Sequence, residues 1–177
     1  IVFGDGSILV EPTNAELAAK LGLDTKARLD FYDLIIIGSG PTGLTASIYA
    51  AREGIETLLI ERSSMGGQSG ITQRIDNYPG FPDGISGSDF ADRVVRQAER
   101  FGVEILRAQE ARRIEVDSTR RHVYTASGTH YCAKAVLIAT GAKYRRLNVP
   151  GEEDLIGAGI HFCATCDGPF YKGQPLI

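Results

Sequence analysis

The chain has 177 residues, 43% of them hydrophobic and 23% charged, with 19 lysines and arginines against 22 aspartates and glutamates for a formal net charge of -3. That length suits one globular domain, or a domain with a piece of another, and the composition excludes extensive disorder. No concentrated positive field exists to recruit nucleic acid or an anionic membrane surface, so neither partner is expected.

Ile1 stands where an initiator methionine would, and the one methionine is Met65. The sequence therefore reads as a processed chain or a piece of a longer one. No basic and apolar leader precedes the first turn, and the three cysteines, Cys132, Cys163 and Cys166, are too few and too odd for a disulfide scaffold. A reducing, cytoplasmic setting is expected, in which any disulfide is catalytic or transient.

Residues 1 to 10 read as a hairpin, with Ile1–Phe3 and Ile8–Val10 flanking Gly4, Asp5, Gly6 and Ser7. Asn14 is expected to cap a short helix ending at Gly22, and Leu23–Tyr32 to form a linker. Residues 1–32 are too few to bury a core of their own, and are read as the tail of an accessory module.

From Asp33 onward strands and helices alternate, the mark of an α/β domain with a parallel sheet covered by helices. Leu34 to Ala51 is uncharged, yet Gly38, Ser39, Gly40, Pro41, Thr42 and Gly43 divide it into strand, turn and helix rather than a membrane span. Leu44, Ser47, Ile48 and Ala51 share one helix face, and Thr57–Ile60 return as a strand. Ser88 is expected to cap a helix with Phe90, Val94, Ala98 and Phe101 on its apolar side, closed by Gly102 before a strand at Val103–Leu106. Ile114–Val116, His122–Thr125 and His130–Cys132 suggest a three-stranded antiparallel meander, and Ala135–Ala139 a return to the parallel sheet.

Gly38, Gly40 and Gly43 form a GxGxxG pattern between a buried strand and a helix. Such a loop turns tightly, lets backbone approach a pyrophosphate and aims free helix amides at the anion. Glu61 ends the next strand, where a carboxylate can accept hydrogen bonds from an adenosine ribose. Dinucleotide binding is the reading, against a plain glycine turn. Gly66-Gly67-Gln68 lies at the carboxyl side of the second strand, where open α/β sheets bind ligands, though Gly-Gly is common in turns without function. Asp76–Gly80 reads as a turn first, with Asn77 as a candidate amide contact.

Cys163 and Cys166, followed by Asp167, have CxxC spacing. At a helix start this brings two sulfurs within bonding reach while the helix amides favour a thiolate. Redox exchange is favoured over a structural zinc knuckle and over inert thiols. Zinc would need two more ligands, and the candidates His161 and Cys132 lie on separate expected strands. His122, His130 and His161 have no metal spacing, Cys132 is expected to be a small buried filler, and no metal site is expected.

Together, Gly38-Ser39-Gly40-Pro41-Thr42-Gly43, Gly66-Gly67-Gln68, Asn77-Tyr78-Pro79-Gly80-Phe81, Ala139-Thr140-Gly141 and Cys163-Ala164-Thr165-Cys166-Asp167-Gly168 resemble the low-molecular-weight thioredoxin-disulfide reductases over about Asp33 to Ile177. The resemblance implies a Rossmann-like FAD-binding domain, its first segment at 33–160, followed by a redox segment at 161–177 where an NADPH-binding domain would begin. It implies FAD at Gly38, Gly40, Pro41, Gly43 and Glu61, with Gly66, Gly67, Gln68, Asn77, Thr140 and Gly141 near the flavin or its phosphates. Cys166 would face the flavin, Cys163 would attack the substrate disulfide, and Asp167 would serve as acid and base.

The same resemblance implies NADPH in the complete protein, a thioredoxin-like disulfide partner and a homodimer. One glycine fingerprint is present, so residues 1–177 alone are not expected to use NADPH. The flavoprotein subunit of alkyl hydroperoxide reductase resembles this family too, but Ala164-Thr165 between the cysteines favours the reductase. A zinc-stabilised interaction module is the alternative from another class.

Overall fold

The computed structural model describes residues 1–23, 25–156, 158–164 and 168–175. Val2 and Ile8 form a single antiparallel bridge, and helix α1 spans Asn14–Lys20. Its cap is Thr13 rather than Asn14. The Thr13 hydroxyl accepts from the Glu16 amide and the Glu16 carboxylate accepts from the Thr13 amide, a reciprocal capping box. Gly22 follows at φ 69°, the left-handed position expected after the last turn.

Strand β1 (Phe31–Ile37), helix α2 (Pro41–Arg52) and strand β2 (Thr57–Ile60) make the first parallel unit, with Leu34 opposite Thr57 and Ile37 opposite Ile60. The short helix α3 spans Gly67–Gly70 and the long helix α4 spans Gly87–Arg100, ahead of strand β3 (Glu104–Leu106). Ser86, not Ser88, caps α4 by accepting from the Asp89 amide. The buried side is Phe90, Ala91, Val95 and Ala98, with the expected Val94 partly buried against the core and Phe101 exposed.

Strands β4 (Ala111–Val116), β5 (Arg121–Thr125) and β6 (His130–Ile138) complete one six-stranded sheet in the order β3-β2-β1-β6-β5-β4. The meander and the return to the parallel sheet are one strand where the sequence suggested two. β6 pairs antiparallel with β5 near its start and parallel with β1 from Cys132 to Ile138. Lys134 interrupts the apolar pattern without interrupting the strand, because its ammonium reaches Asp33 on the neighbouring strand at 2.6 Å. After β6 comes a short helix α5 (Glu152–Leu155).

Strand side chains alternate between the two faces, and both faces of the parallel half are buried, which is why β1 and β2 read as continuous apolar runs. Ile36, Leu59 and Ile105 meet Leu44 and Ile48 of α2 and Val95 and Ala98 of α4. Ile35, Ile37, Leu58, Ile60 and Leu106 share the other cluster with Val123 of β5 and Tyr131 of β6, so this core runs from the parallel strands into the meander.

The segment before β1 is docked and not a free linker. Ala27 is buried and donates its amide to the Tyr131 hydroxyl at 3.1 Å. Leu29 donates to the Tyr32 hydroxyl, which in turn donates to Glu104 at 2.9 Å. Burial, the larger effect, together with the adjacent Glu104 carboxylate, pushes the Tyr32 phenol well above its ordinary range.

No helix among the described residues is long and apolar enough to cross a membrane.

Candidate functional site

Parallel strands end together at one edge of the sheet, and three glycine turns meet there. Gly38 ends β1 at φ 104° and donates its amide to the Ile60 carbonyl at 2.9 Å. A Cβ on Gly38 would lie 2.4 Å from the Ala139 carbonyl oxygen, so the turn after β6 is pressed against the first glycine. A Cβ on Gly43 would lie 1.9 Å from the Gly38 carbonyl oxygen, which seats the first turn of α2 directly on the loop. The second turn joins them. Gly66 donates to the Ser39 carbonyl at 3.0 Å, and a Cβ on Gly67 would lie 3.2 Å from Gly40 Cα.

Gly40 differs from these neighbours. It precedes Pro41, the first residue of α2, in extended conformation, and a Cβ there would meet nothing within 4 Å. Neither backbone geometry nor packing among the described residues demands glycine at this position. No side chain among the described residues caps the helix, so its leading amides are left without a side-chain acceptor, as in an anion cradle.

Glu61 is buried beside this loop. Its Oε2 accepts from the Ser39 amide and hydroxyl, both at 2.8 Å, and its Oε1 accepts from the Ser63 amide at 2.8 Å and hydroxyl at 3.2 Å. Four donors fill the acceptor capacity of an ionised carboxylate. Glu61 thus fastens the glycine loop to the end of β2, a task the sequence did not suggest. The legible signal was a hydroxyl residue, Ser39, between the first two glycines.

The remaining expected positions are less enclosed. Gln68 lies on α3 and Asn77 in the loop that follows, both exposed. Thr140 and the left-handed Gly141, at φ 69°, are exposed beyond β6, with Thr140 Cα 3.1 Å from the point where a Gly38 Cβ would stand. Tyr78, Phe81 and Phe90 form an aromatic cluster that pins the Asn77 loop to α4, the closest pair having centroids 4.5 Å apart.

Cys163 is half-buried and disulfide-bonded, and Cys132 is free. Ala164, directly after Cys163, is helical, while the expectations for Cys166 and Asp167 lie outside the described residues. Phe162, next to Cys163, stacks on Tyr144 at 4.7 Å with an interplanar angle of 3°, which ties the cysteine's segment to the chain that leaves β6. That chain is held in turn by Glu152, which accepts from the Leu147 and Asn148 amides at 2.9 and 2.7 Å. The Leu147 hydrogen bond keeps the Glu152 carboxyl below its ordinary range, against the opposing effect of burial.

Cys132 is no buried filler. It is half-buried beside His122 and His130, which the sequence set apart and the hairpin register brings together. His161 pairs instead with the Tyr171 hydroxyl at 2.7 Å.

The model of the pyridine nucleotide-disulphide oxidoreductases matches residues 32–177. The chain belongs to this family. Relatives include the thioredoxin reductase of Bacillus subtilis (strain 168), 42% identical over 146 residues, or 82% of this chain and 45% of that protein. The bifunctional thioredoxin reductase/thioredoxin of Mycobacterium leprae (strain TN) is 43% identical over 145 residues, 82% of this chain and 31% of that protein. Among solved structures, thioredoxin reductase from Streptococcus pyogenes MGAS5005 is similar with a TM-score of 0.75 and 45% identity, covering 80% of this chain and 45% of that one. The chain therefore spans less than half the length of these relatives. The mixed sheet with helices on its parallel half is the Rossmann-like arrangement shared with these reductases.

Proposed function

We propose that this chain carries the flavin-binding and disulfide-exchanging part of an NADPH-dependent reductase whose substrate is a thioredoxin-like protein disulfide. One observation carries the reading: three glycine turns converge at the carboxyl edge of the parallel strands, in a chain that also holds the Cys163-Ala164-Thr165-Cys166-Asp167-Gly168 string. Open α/β sheets take their ligands at that edge.

The residues fit FAD. The uncapped start of α2 beside Gly40 suits a pyrophosphate, with Gly38, Pro41 and Gly43 setting the loop that presents the amides. Glu61, anchored to Ser39 through Oε2, would offer its Oε1 as the acceptor for a ribose hydroxyl. Gly66, Gly67, Gln68, Asn77, Thr140 and Gly141 would border the remainder of the group. FAD supplies, when bound, two-electron transfer between a nicotinamide, held by the complete protein, and a dithiol.

The exchange itself belongs to the cysteines. The Cys163 thiolate attacks one sulfur of the substrate disulfide, and the other substrate sulfur leaves as a thiolate that takes its proton from Asp167. Cys166 then attacks Cys163 of the mixed disulfide, releasing the substrate dithiol and leaving Cys163 and Cys166 oxidised. Two electrons pass from one pair of sulfurs to the other.

Adding FAD to the purified chain and removing the excess by gel filtration tests the reading. Retained flavin with a shifted visible spectrum is expected. Complete loss of flavin at concentrations well above those of the protein would sink it.

A further inference from the structure

The outer face of the β5–β6 hairpin brings together three metal-ligating side chains. His122 stands directly across from Cys132 in the antiparallel register, and His130 precedes Cys132 by two residues on the same face of β6. His122 Nδ1 lies 2.9 Å from His130 Nε2, and Cys132 Sγ lies 3.3 Å from the first and 3.5 Å from the second. All three ligand atoms fall within 4.8 Å of one another.

We propose that this face binds one zinc-class divalent cation through His122 Nδ1, His130 Nε2 and Cys132 Sγ, with a fourth position open to solvent. Zinc takes nitrogen at about 2.0 to 2.1 Å and thiolate sulfur at about 2.3 Å, which in a tetrahedron separates the ligand atoms by about 3.3 to 3.6 Å. The observed triangle is within about half an ångström of that, and its centre is about 1.9 Å from each corner. An ion at bonding distance sits just off the plane of the three atoms, as in a three-ligand site with one vacant corner.

The surroundings are those of a metal site and not only of a polar patch. His122 Nε2 meets Asp117 Oδ2 at 2.8 Å, the carboxylate-imidazole pairing that fixes a ligand's tautomer and leaves Nδ1 with its lone pair. Asp117 is itself held, its other oxygen accepting from the Thr119 and Arg120 amides at 2.7 Å. Tyr124 stacks on His130 at 4.6 Å and steadies the second imidazole. A Cys132 thiolate and Asp117 together offset a double positive charge. Nearby cations have partners of their own: Arg113 pairs with Glu115 and lies over the Tyr124 ring, Arg120 lies over the Phe31 ring, and Lys134 pairs with Asp33.

Proton balance is simple. With both imidazoles neutral, the ion takes the lone pairs of His122 Nδ1 and His130 Nε2, each ring keeping its proton on the other nitrogen, and the Cys132 thiol gives its proton to water, so one proton leaves per ion. A mixed imidazole and thiolate set favours zinc over the hard cations that prefer oxygen.

Cobalt(II) titration of the oxidised chain, with Cys163 held in its disulfide, tests the proposal, because tetrahedral cobalt-thiolate sites show a near-ultraviolet charge-transfer band and strong visible bands. One equivalent should produce them and zinc should bleach them. Cys132→Ser should abolish the charge-transfer band, His130→Gln should weaken binding at least tenfold, and Asp117→Asn should weaken it about 10- to 100-fold. A Cys163→Ser/Cys166→Ser chain should keep the band. His130 is exposed, so His130→Gln reports on ligation without a folding defect, which far-ultraviolet circular dichroism checks. No band at a tenfold excess of cobalt, a band surviving Cys132→Ser, or one lost in the Cys163→Ser/Cys166→Ser chain would overturn the assignment.

Discussion

Glu61 Oε2 accepts two hydrogen bonds from Ser39, one from its amide and one from its hydroxyl, both at 2.8 Å. The pair joins the second residue of the glycine loop to the end of the neighbouring strand. Glu61→Ala leaves two buried Ser39 donors without a partner, which costs about 2 to 3 kcal/mol on the scale of hydrogen bonds to charged groups. Ser39→Ala removes only the hydroxyl bond and costs less. Urea unfolding of both variants, read as a shift in midpoint at constant slope, measures the difference; equal stabilities for Glu61→Ala and the parent would show that the pair is idle.

Two glycines of the same loop separate fold from ligand. Gly38→Ala combines a φ of 104° with a Cβ placed 2.4 Å from the Ala139 carbonyl oxygen, and should destabilise the chain by about 3 kcal/mol or more. Gly40→Ala meets open space at an ordinary φ of -65° and should leave the unfolding midpoint within about 0.5 kcal/mol of the parent. FAD affinity should nevertheless fall at least tenfold for Gly40→Ala, since the added methyl occupies the approach to the helix amides. An unchanged flavin titration for this variant would place the pyrophosphate elsewhere.

For the cysteines the expected result is an asymmetry. After chemical reduction, the parent chain should reduce an oxidised thioredoxin-like protein once per molecule. Cys163→Ser should not, because the attacking thiolate is gone, and Asp167→Asn should be slowed by a factor on the order of 100 or more. Rapid-quench measurement of free thiols distinguishes them. If Cys163→Ser exchanged at the parental rate, the two sulfurs would have to trade roles.

Acid should loosen the chain after β6. The Glu152 carboxyl is held below its ordinary range by the Leu147 amide, so its contribution to stability is fully present above the ordinary glutamate pKa and is lost as pH falls through the depressed folded value. The Leu147 and Asn148 amide resonances should therefore titrate with Glu152, with a midpoint below that of an ordinary glutamate. Glu152→Gln should remove that titration. Resonances that move with a midpoint at the ordinary value would mean that the hydrogen bonds do not persist in solution.

What the sequence by itself determined is local. The apolar run Leu34–Ile37, the spaced glycines and the helix through Arg52 depend on contacts within a few residues, so periodicity and backbone preference were enough to place β1, the loop, α2 and β2, and the Cys163 and Cys166 spacing was visible as a candidate pair. Only the tertiary structure decided what depends on partners distant in the chain. It moved the cap of α4 to Ser86, merged two expected strands into β6 through the pairing with β1 and the Lys134 to Asp33 bridge, and docked Ala27 through the Tyr131 hydroxyl. It also satisfied Glu61 with serines from two loops and gathered His122, His130 and Cys132 on one face. Spacings of eight and two residues carry no metal signature along the chain. They acquire one because an antiparallel register sets residues directly opposite each other and a pleated strand turns every second side chain to the same side.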